Sequence, residues 1–311
     1  MTKPPKDVGA SVRARLLHLA REHGDDFQLL LTRYANERLL YRLTQSRHHG
    51  SFILKGATLF TLWTGHPHRA TRDVDLLGVG DPSEDRIRDV FVELIALEVA
   101  DDGVVFDAAS LAVGPIREDQ EYGGVRVEML ARVTAARVRL QIDVGFGDAV
   151  TPPPVRMDLP VLLDFPMPRL LVYRRETVVA EKLDAIVQLG ITNSRMKDFY
   201  DLFVLARGFA FDGALLVRAI RATFERRKTL LPSSYPRASR TNSPQTRERR
   251  HSGRRSAGSR ARATRRIFGP PSRRSLHSPK ARSPQRRVDC RSVAVGYLAG
   301  HGSELLPVIR D

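Results

Sequence analysis

Between Phe52 and Leu77 the chain reads FILKGATLFTLWTGHPHRATRDVDLL, and no other stretch restricts its fold as tightly. Phe52-Ile53-Leu54 is a short apolar run of the kind that forms a buried strand. Lys55-Gly56-Ala57-Thr58 follows, then a mostly apolar helical stretch, Leu59 to Trp63, which Pro67 breaks. The stretch closes on Asp73-Val74-Asp75, in front of Leu76-Leu77. Side chains alternate along a strand, so Asp73 and Asp75 share a face. Like charges so placed repel, and a sheet by itself has no reason to hold them together. A divalent cation supplies one, because Mg²⁺ is bound by one or two carboxylates together with substrate phosphates. Small residues such as Gly56 and Ala57 let backbone N–H groups approach a phosphate closely. The stretch reads as half of a metal–nucleotide site. The plain alternative, a surface strand with solvated aspartates, fits less well with the apolar residues that flank and separate the pair.

Charge along the 311 residues is unevenly distributed. Of the net +16, residues 1–233 carry +1, from 32 basic and 31 acidic side chains. Residues 234–291 hold 18 basic and 2 acidic side chains, and the last twenty residues contribute −1. The high pI therefore describes one segment, rich in Arg, Ser, Pro, Ala and Gly and almost without aliphatic residues. Such a segment buries too little apolar area to fold, and disorder is the expectation for it. It reads either as a basic tail for nucleic acid or as the product of an altered reading frame in GC-rich coding sequence. The single cysteine, Cys290, excludes a disulfide framework and a thiolate zinc site. No apolar run approaches the ~18 residues that span a membrane, and the first twenty residues lack the apolar core of a signal peptide. The expectation is a cytoplasmic protein without a membrane partner.

Periodicity predicts helices over 8–23 and 26–46, the second capped by Asp25 or Asp26. A further helix is predicted over 84–97, with Ser83 as its cap. Strands are predicted at Val74–Val79, Val104–Phe106, Val125–Val133 and Val138–Phe146, the last two forming a hairpin. In the last strand Val138, Leu140, Ile142 and Val144 take one face, leaving Arg139, Gln141 and Asp143 on the other. A proline-rich connection follows, with a short strand expected at Val161–Leu163. Three helices come next, over 174–189, 195–207 and 213–227. The expected domains are N-terminal helices at 1–50, a mixed-sheet lobe at 51–167, a helical lobe at 168–232 and the basic tail at 233–311.

Asp143 is able to lie beside Asp73 and Asp75. Three carboxylates on adjacent strands are the minimum for two-metal phosphoryl or nucleotidyl transfer, and the third is also placed to take a proton from an attacking hydroxyl. Lys182 is a compact cation suited to a phosphate; the bland reading pairs it with Glu181 or Asp184 on a solvated helix face. Asp198 or Asp201 would face the site, with the other tied to Lys197 or Arg195. His66 and His68 sit in a proline-containing loop without a further ligand.

The order of these motifs carries a resemblance. Gly56-Ala57, then Asp73-Val74-Asp75, then Asp143 resembles the DNA polymerase β-like nucleotidyltransferases. FILKGATLF, TRDVDLL, LQIDVGFGDAV, VVAEKLDAIVQLG and RMKDFYDLFVLAR together resemble the AbiEii/AbiGii toxin nucleotidyltransferases, over roughly Phe52 to Phe224. The resemblance implies an α/β (α+β) fold: a polymerase β-like lobe with a mixed sheet, and a helical C-terminal lobe that closes over the nucleotide. It implies a toxin of a toxin–antitoxin or phage-defence module, with a cognate antitoxin. It also implies a nucleoside triphosphate substrate, Mg²⁺ or Mn²⁺, and an RNA acceptor such as the tRNA 3′ end. Asp73, Asp75 and Asp143 would hold metal. Lys55, Gly56, Ala57, Thr58 and Lys182 would bind the nucleotide, and Asp198 would position Lys182 or the acceptor. Ala57 departs from the Gly or Ser usual in the family, and the sequence after Pro232 departs from its further helices. Other readings are nucleotidylation of a small molecule such as an aminoglycoside, nucleotidylation of a protein, and an inactive nucleic-acid-binding relic.

Overall fold

A computed structural model describes residues 7–65, 69–116, 123–189 and 196–230, with the pair 287–288. His66, Pro67, His68, Gly190, Arg195 and all but two residues of the basic tail lie outside the described residues. Two helices open the chain, α1 (Val8–His23) and α2 (Phe27–Gln45), each started by an aspartate that accepts a backbone N–H three residues on. These are Asp7 with Ala10 N at 2.8 Å and Asp26 with Leu29 N at 2.7 Å. They satisfy N–H groups that a helix leaves without internal partners. Then come β1 (Phe52–Lys55), α3 (Thr58–Thr64), β2 (Val74–Gly78), α4 (Glu84–Ala96), β3 (Val105–Pro115), β4 (Val125–Val133) and β5 (Ala136–Phe146). They are followed by β6 (Val155–Asp158), β7 (Arg169–Val172), α5 (Arg175–Leu189), α6 (Met196–Gly208), β8 (Phe211–Asp212), α7 (Gly213–Arg226) and β9 (Arg287–Val288).

Seven strands form one mixed sheet in the order β3-β4-β5-β2-β1-β7-β6. The pairs β2–β5 and β1–β7 are parallel and the others antiparallel. One face is covered by α1, α2 and α4, which touch one another and the strands. Val138, Leu140, Ile142 and Val144 of β5 are buried beneath them with Val127, Met129 and Ala131 of β4. The alternation in VRLQIDVGF thus sends its apolar set to the core, and Arg139, Gln141 and Asp143 to the opposite face.

Several elements differ from the sequence expectation. The short strand expected at Val104–Phe106 is eleven residues long, because β4 supplies a ladder for a segment with little alternation of its own, across a register shift between Asp107 and Ala112. Val161–Leu163 forms no strand. Leu162 N instead donates to Glu37 Oε2 (3.0 Å), and the flanking segments form β6 and β7. The boundary expected near 167 falls between β6 and β7, which pair with each other, and β7 continues the sheet through β1. Ser83 stands at the N-cap of α4 but makes no cap bond. Its hydroxyl donates to Asp81 Oδ2 at 2.7 Å.

Candidate active site

Strand register brings four charged residues into one row. Lys55 of β1 pairs with Asp75 of β2, Asp75 with Asp143 of β5, and Asp143 with Arg126 of β4. Residues directly opposite on neighbouring strands share a face. The row therefore crosses four strands on the face opposite α1, α2 and α4, with two cations flanking two carboxylates.

Asp75 is half-buried, and its carboxyl is held above the usual carboxylate range. Burial is the largest cause; Lys55 opposes it, and the nearby charges of Asp143 and Asp73 add to it. Asp73 lies one residue before β2 and is exposed. Among the described residues neither carboxylate is offered a side-chain hydrogen bond or ion pair. Gly56 explains how the Asp75 carboxylate fits. Its φ is +74°, and a Cβ there would overlap the carboxylate of Asp75. Only glycine meets both conditions at low cost. Beside Asp73 a cleft of about 550 Å³ opens, bordered by Thr58 and Thr61 of α3, Asn36 of α2, and Arg69 and Thr71.

Asp143 is engaged. Arg126 Nε and Nη2 each donate to one of its oxygens at 2.8 Å, a bidentate fork. Asp143 and Arg126 are partly solvated, at 20% and 37% side-chain exposure, so the fork is open to exchange.

At the other end of the row Lys55 belongs to a buried cluster. Its Nζ donates to Asp148 Oδ2 at 2.7 Å and lies 3.7 Å from Glu181 Oε1. Arg227 closes the group, with Asp148 at 2.9 Å, Asp184 at 3.0 Å and Glu181 at 3.4 Å. Tyr173 donates its hydroxyl to Glu181 (3.2 Å). Burial works against the charge on Lys55, but Glu181 and Asp148 override it and hold its pKa above the ordinary lysine value. Burial would raise Asp148, yet Lys55 and Arg227 hold it low. Lys55, expected at the nucleotide, is thus turned to this cluster, whose members span α5, α7 and the segment after β5.

Lys182 of α5 is set between two carboxylates of α6, Asp198 Oδ1 at 3.0 Å and Asp201 Oδ2 at 2.6 Å, and is 12% exposed. Asp201 also receives a two-pronged donation from Arg69, at 2.9 and 3.1 Å. Asp184, the partner suggested by the bland reading of Lys182, is taken by Arg227 instead.

Asp73 and Asp75 suit a hard divalent cation. They are oxygen donors, the charge of Asp73 is close enough to raise the carboxyl of Asp75, and glycine leaves the space that the Asp75 carboxylate needs. Asp143 faces Asp75 but would have to exchange Arg126 for the ion. Among the described residues no three His, Cys, Asp or Glu side chains converge as an ion cage as they stand. Sequence reasoning missed Arg126, Arg69, Asp148 and Arg227. Arg126 was within reach: the two-residue turn at Thr134-Ala135 pairs Val133 with Ala136, and counting back sets Arg126 opposite Asp143.

A family profile described as "Nucleotidyl transferase AbiEii toxin, Type IV TA system" matches residues 38–279, and so runs into the arginine-rich segment. Among solved structures, the chain is similar to MenT4, a nucleotidyltransferase toxin from Mycobacterium tuberculosis H37Rv. Identity is 23% over 68% of each chain, with a TM-score of 0.44. It is also similar to JHP933 from Helicobacter pylori (13% identity, 66% of this chain and 78% of that one, TM-score 0.40). A third is an antigenic nucleotidyltransferase-like protein from Paracoccidioides brasiliensis (14%, 62% and 89%, TM-score 0.38). No curated protein sequence matches the chain.

Proposed function

Because the chain belongs to the AbiEii family, the nucleotidyltransferase toxins of type IV toxin–antitoxin systems, we propose that it transfers a nucleoside monophosphate from a triphosphate to a hydroxyl of an RNA, such as the tRNA 3′ end, in a metal-dependent reaction. The observation that carries this reading is the cross-strand row Lys55–Asp75–Asp143–Arg126 with Asp73 beside it. Two facing carboxylates between two cations, on the sheet face opposite α1, α2 and α4, form an arrangement that sheet stability does not call for.

The acceptor hydroxyl attacks the α-phosphorus in line. The bond from the α-phosphorus to the bridging oxygen breaks, and pyrophosphate leaves. Asp73 and Asp75 would hold the divalent cation, and Asp143 would be a third carboxylate for it if Arg126 exchanged Asp143 for the incoming phosphates. The bound metal supplies Lewis-acid stabilisation of the charge on the entering and leaving oxygens. Asp143 is the group on the row placed to take the acceptor proton. The Gly56-Ala57-Thr58 turn presents backbone to the phosphates at the start of α3. Ala57 has no hydroxyl to add, so Thr58 is the side chain of the turn that reaches the triphosphate. Lys182 steadies the triphosphate, with Asp198 and Asp201 keeping its ammonium oriented until the nucleotide arrives.

The test incubates the full chain with each α-labelled nucleoside triphosphate, MgCl₂ and total RNA. Label is expected in RNA with the wild type and is expected to disappear with Asp75→Asn. Equal labelling by the two proteins would remove Asp75 from the site. Label in protein or in small molecules but not in RNA would overturn the choice of acceptor.

A further inference from the structure

The face of β4 and β5 opposite α1, α2 and α4 continues well beyond Asp143. On β5 it carries Asp143, Gln141, Arg139 and Arg137; on β4 it carries Arg126, Glu128, Leu130 and Arg132. Arg132, Arg137 and Arg139 are exposed, and none forms an ion pair among the described residues. Arg132 stands directly opposite Arg137 in the ladder. Like charges so placed destabilise an antiparallel pair. Two acids share the face, Glu128 level with Gln141 and Asp107 level with Leu130, and neither forms an ion pair with Arg132, Arg137 or Arg139 among the described residues. Folding gains nothing from this cluster, so a ligand outside the fold is its natural counterpart.

That ligand's chemistry follows from the layout. From Arg137 to Asp143 is six residues, about 20 Å of strand. The cations are guanidinium groups, which bind phosphate in a bidentate manner. They line one exposed face that ends at the row of reacting carboxylates. A polyanion with charges repeated along its length matches such a strip. We propose that Arg132, Arg137 and Arg139 hold the sugar–phosphate backbone of the RNA acceptor and lead its terminal hydroxyl to Asp75 and Asp143. This assignment rests on the reading that the acceptor is RNA.

The experiment uses the full chain, wild type and the triple variant R132Q/R137Q/R139Q, with unfractionated tRNA as probe at 50–200 mM KCl. Label transfer is measured as a function of tRNA and of nucleotide, and fluorescently labelled tRNA gives binding by anisotropy. The KM for tRNA is expected to rise at least about tenfold with the KM for nucleotide unchanged, which also shows that the variant is folded. The slope of log affinity against log salt is expected to fall by about 2, as about 0.7–0.9 is lost per phosphate contact. Comparing slopes removes the contribution of the arginine-rich segment, which both proteins share. An unchanged tRNA KM and slope overturn the strip and leave the acceptor reading standing. If the wild type labels no RNA, RNA as acceptor is overturned and with it the strip's role in leading a terminal hydroxyl; a reduced anisotropy slope then upholds only the strip's grip on RNA, whereas an unchanged slope overturns that too.

Discussion

Lys55 and Gly56 are neighbours in sequence, yet they border two differently built groups of charge. Behind Lys55 lies the cluster of Asp148, Glu181, Asp184 and Arg227, in which each charge has a partner and little water enters. In front of Gly56 lies Asp75, crowded by Asp73 and Asp143 and offered no side-chain donor among the described residues. The first group matches charge with charge and ties α5 and α7 to the sheet. The second leaves negative charge uncompensated, and burial makes that costly. A fold tolerates such a deficit where a ligand completes it. Completeness of pairing thus separates the Lys55 cluster from Asp75, a distinction that residue type alone does not reveal.

The largest effect should come from the saturated side. Arg227→Ala would leave Asp148 and Glu181 with Lys55 as their remaining close cation, and Asp184 with the side-chain amide of Gln188. Removing one partner of a buried charged group costs about 3–5 kcal/mol, to be read by urea denaturation near neutral pH. A loss below about 1 kcal/mol would show that water already compensates this cluster, and the contrast would break. On the other side, Asp75→Asn should act in the opposite way. Nucleotidyl transfer should drop about 10²–10³-fold, the scale for removing a group that stabilises transition-state charge. The melting temperature should hold or rise, since burial and neighbouring carboxylates already disfavour the Asp75 charge. A variant that lost stability together with activity would place Asp75 among the structural charges.

The sequence made one of these groups far more legible than the other. Asp75 and Asp143 could be anticipated because alternation along two apolar strands fixes which face each residue takes, and a shared face needs no knowledge of distant contacts. The partners of Lys55 could not. Asp148 is 93 residues away and Arg227 farther still, and nothing local in KGAT distinguishes a lysine turned toward a phosphate from one turned toward a buried carboxylate. The same limit applies to α2, which periodicity predicted only as a capped helix. It buries Arg42 against Asp102 (2.8 Å) and Arg38 against the carbonyl of Pro166 (3.0 Å). Those partners sit in loops, where periodicity is silent. Strand β3 was underestimated for a related reason: its pairing is imposed by β4 rather than by its own pattern.

Glu37 of α2 sharpens the contrast, as a buried carboxylate of intermediate standing. It accepts from Arg33 Nε and from Leu162 N, both at 3.0 Å, yet burial pushes its pKa up to about 7. A raised folded-state pKa means that the folded protein binds the proton more tightly than the unfolded chain. The associated stability is complete below about pH 4.5 and is lost as pH rises through about 7. Over that window the loss is about 3 kcal/mol, from about 1.4 kcal/mol per unit. Glu37→Gln keeps an acceptor for Leu162 N and carries no proton to lose. The variant should therefore gain on the wild type between pH 4.5 and 7.5, as read by urea denaturation of both proteins. A difference that stays flat with pH would mean that Arg33 compensates the charge fully, moving Glu37 to the saturated side.

The smallest predicted effect tests uncompensated positive charge. Arg132 and Arg137 oppose each other across the β4–β5 ladder. Arg132→Thr relieves that repulsion and introduces a β-branched residue that suits a pleated, half-exposed surface. The gain should be about 0.2–1 kcal/mol, the scale of a cross-strand pair, visible as a small rise in melting temperature at low salt that shrinks as salt screens the charges. Acceptor binding should weaken in the same variant. Opposite signs for stability and binding would mark Arg132 as kept for its ligand at the expense of the fold, as Asp75 is. If Arg132→Thr destabilises the hairpin, the arginines must be held by contacts with the fold itself. The strip would then belong with the Lys55 cluster, among the charges that serve the structure.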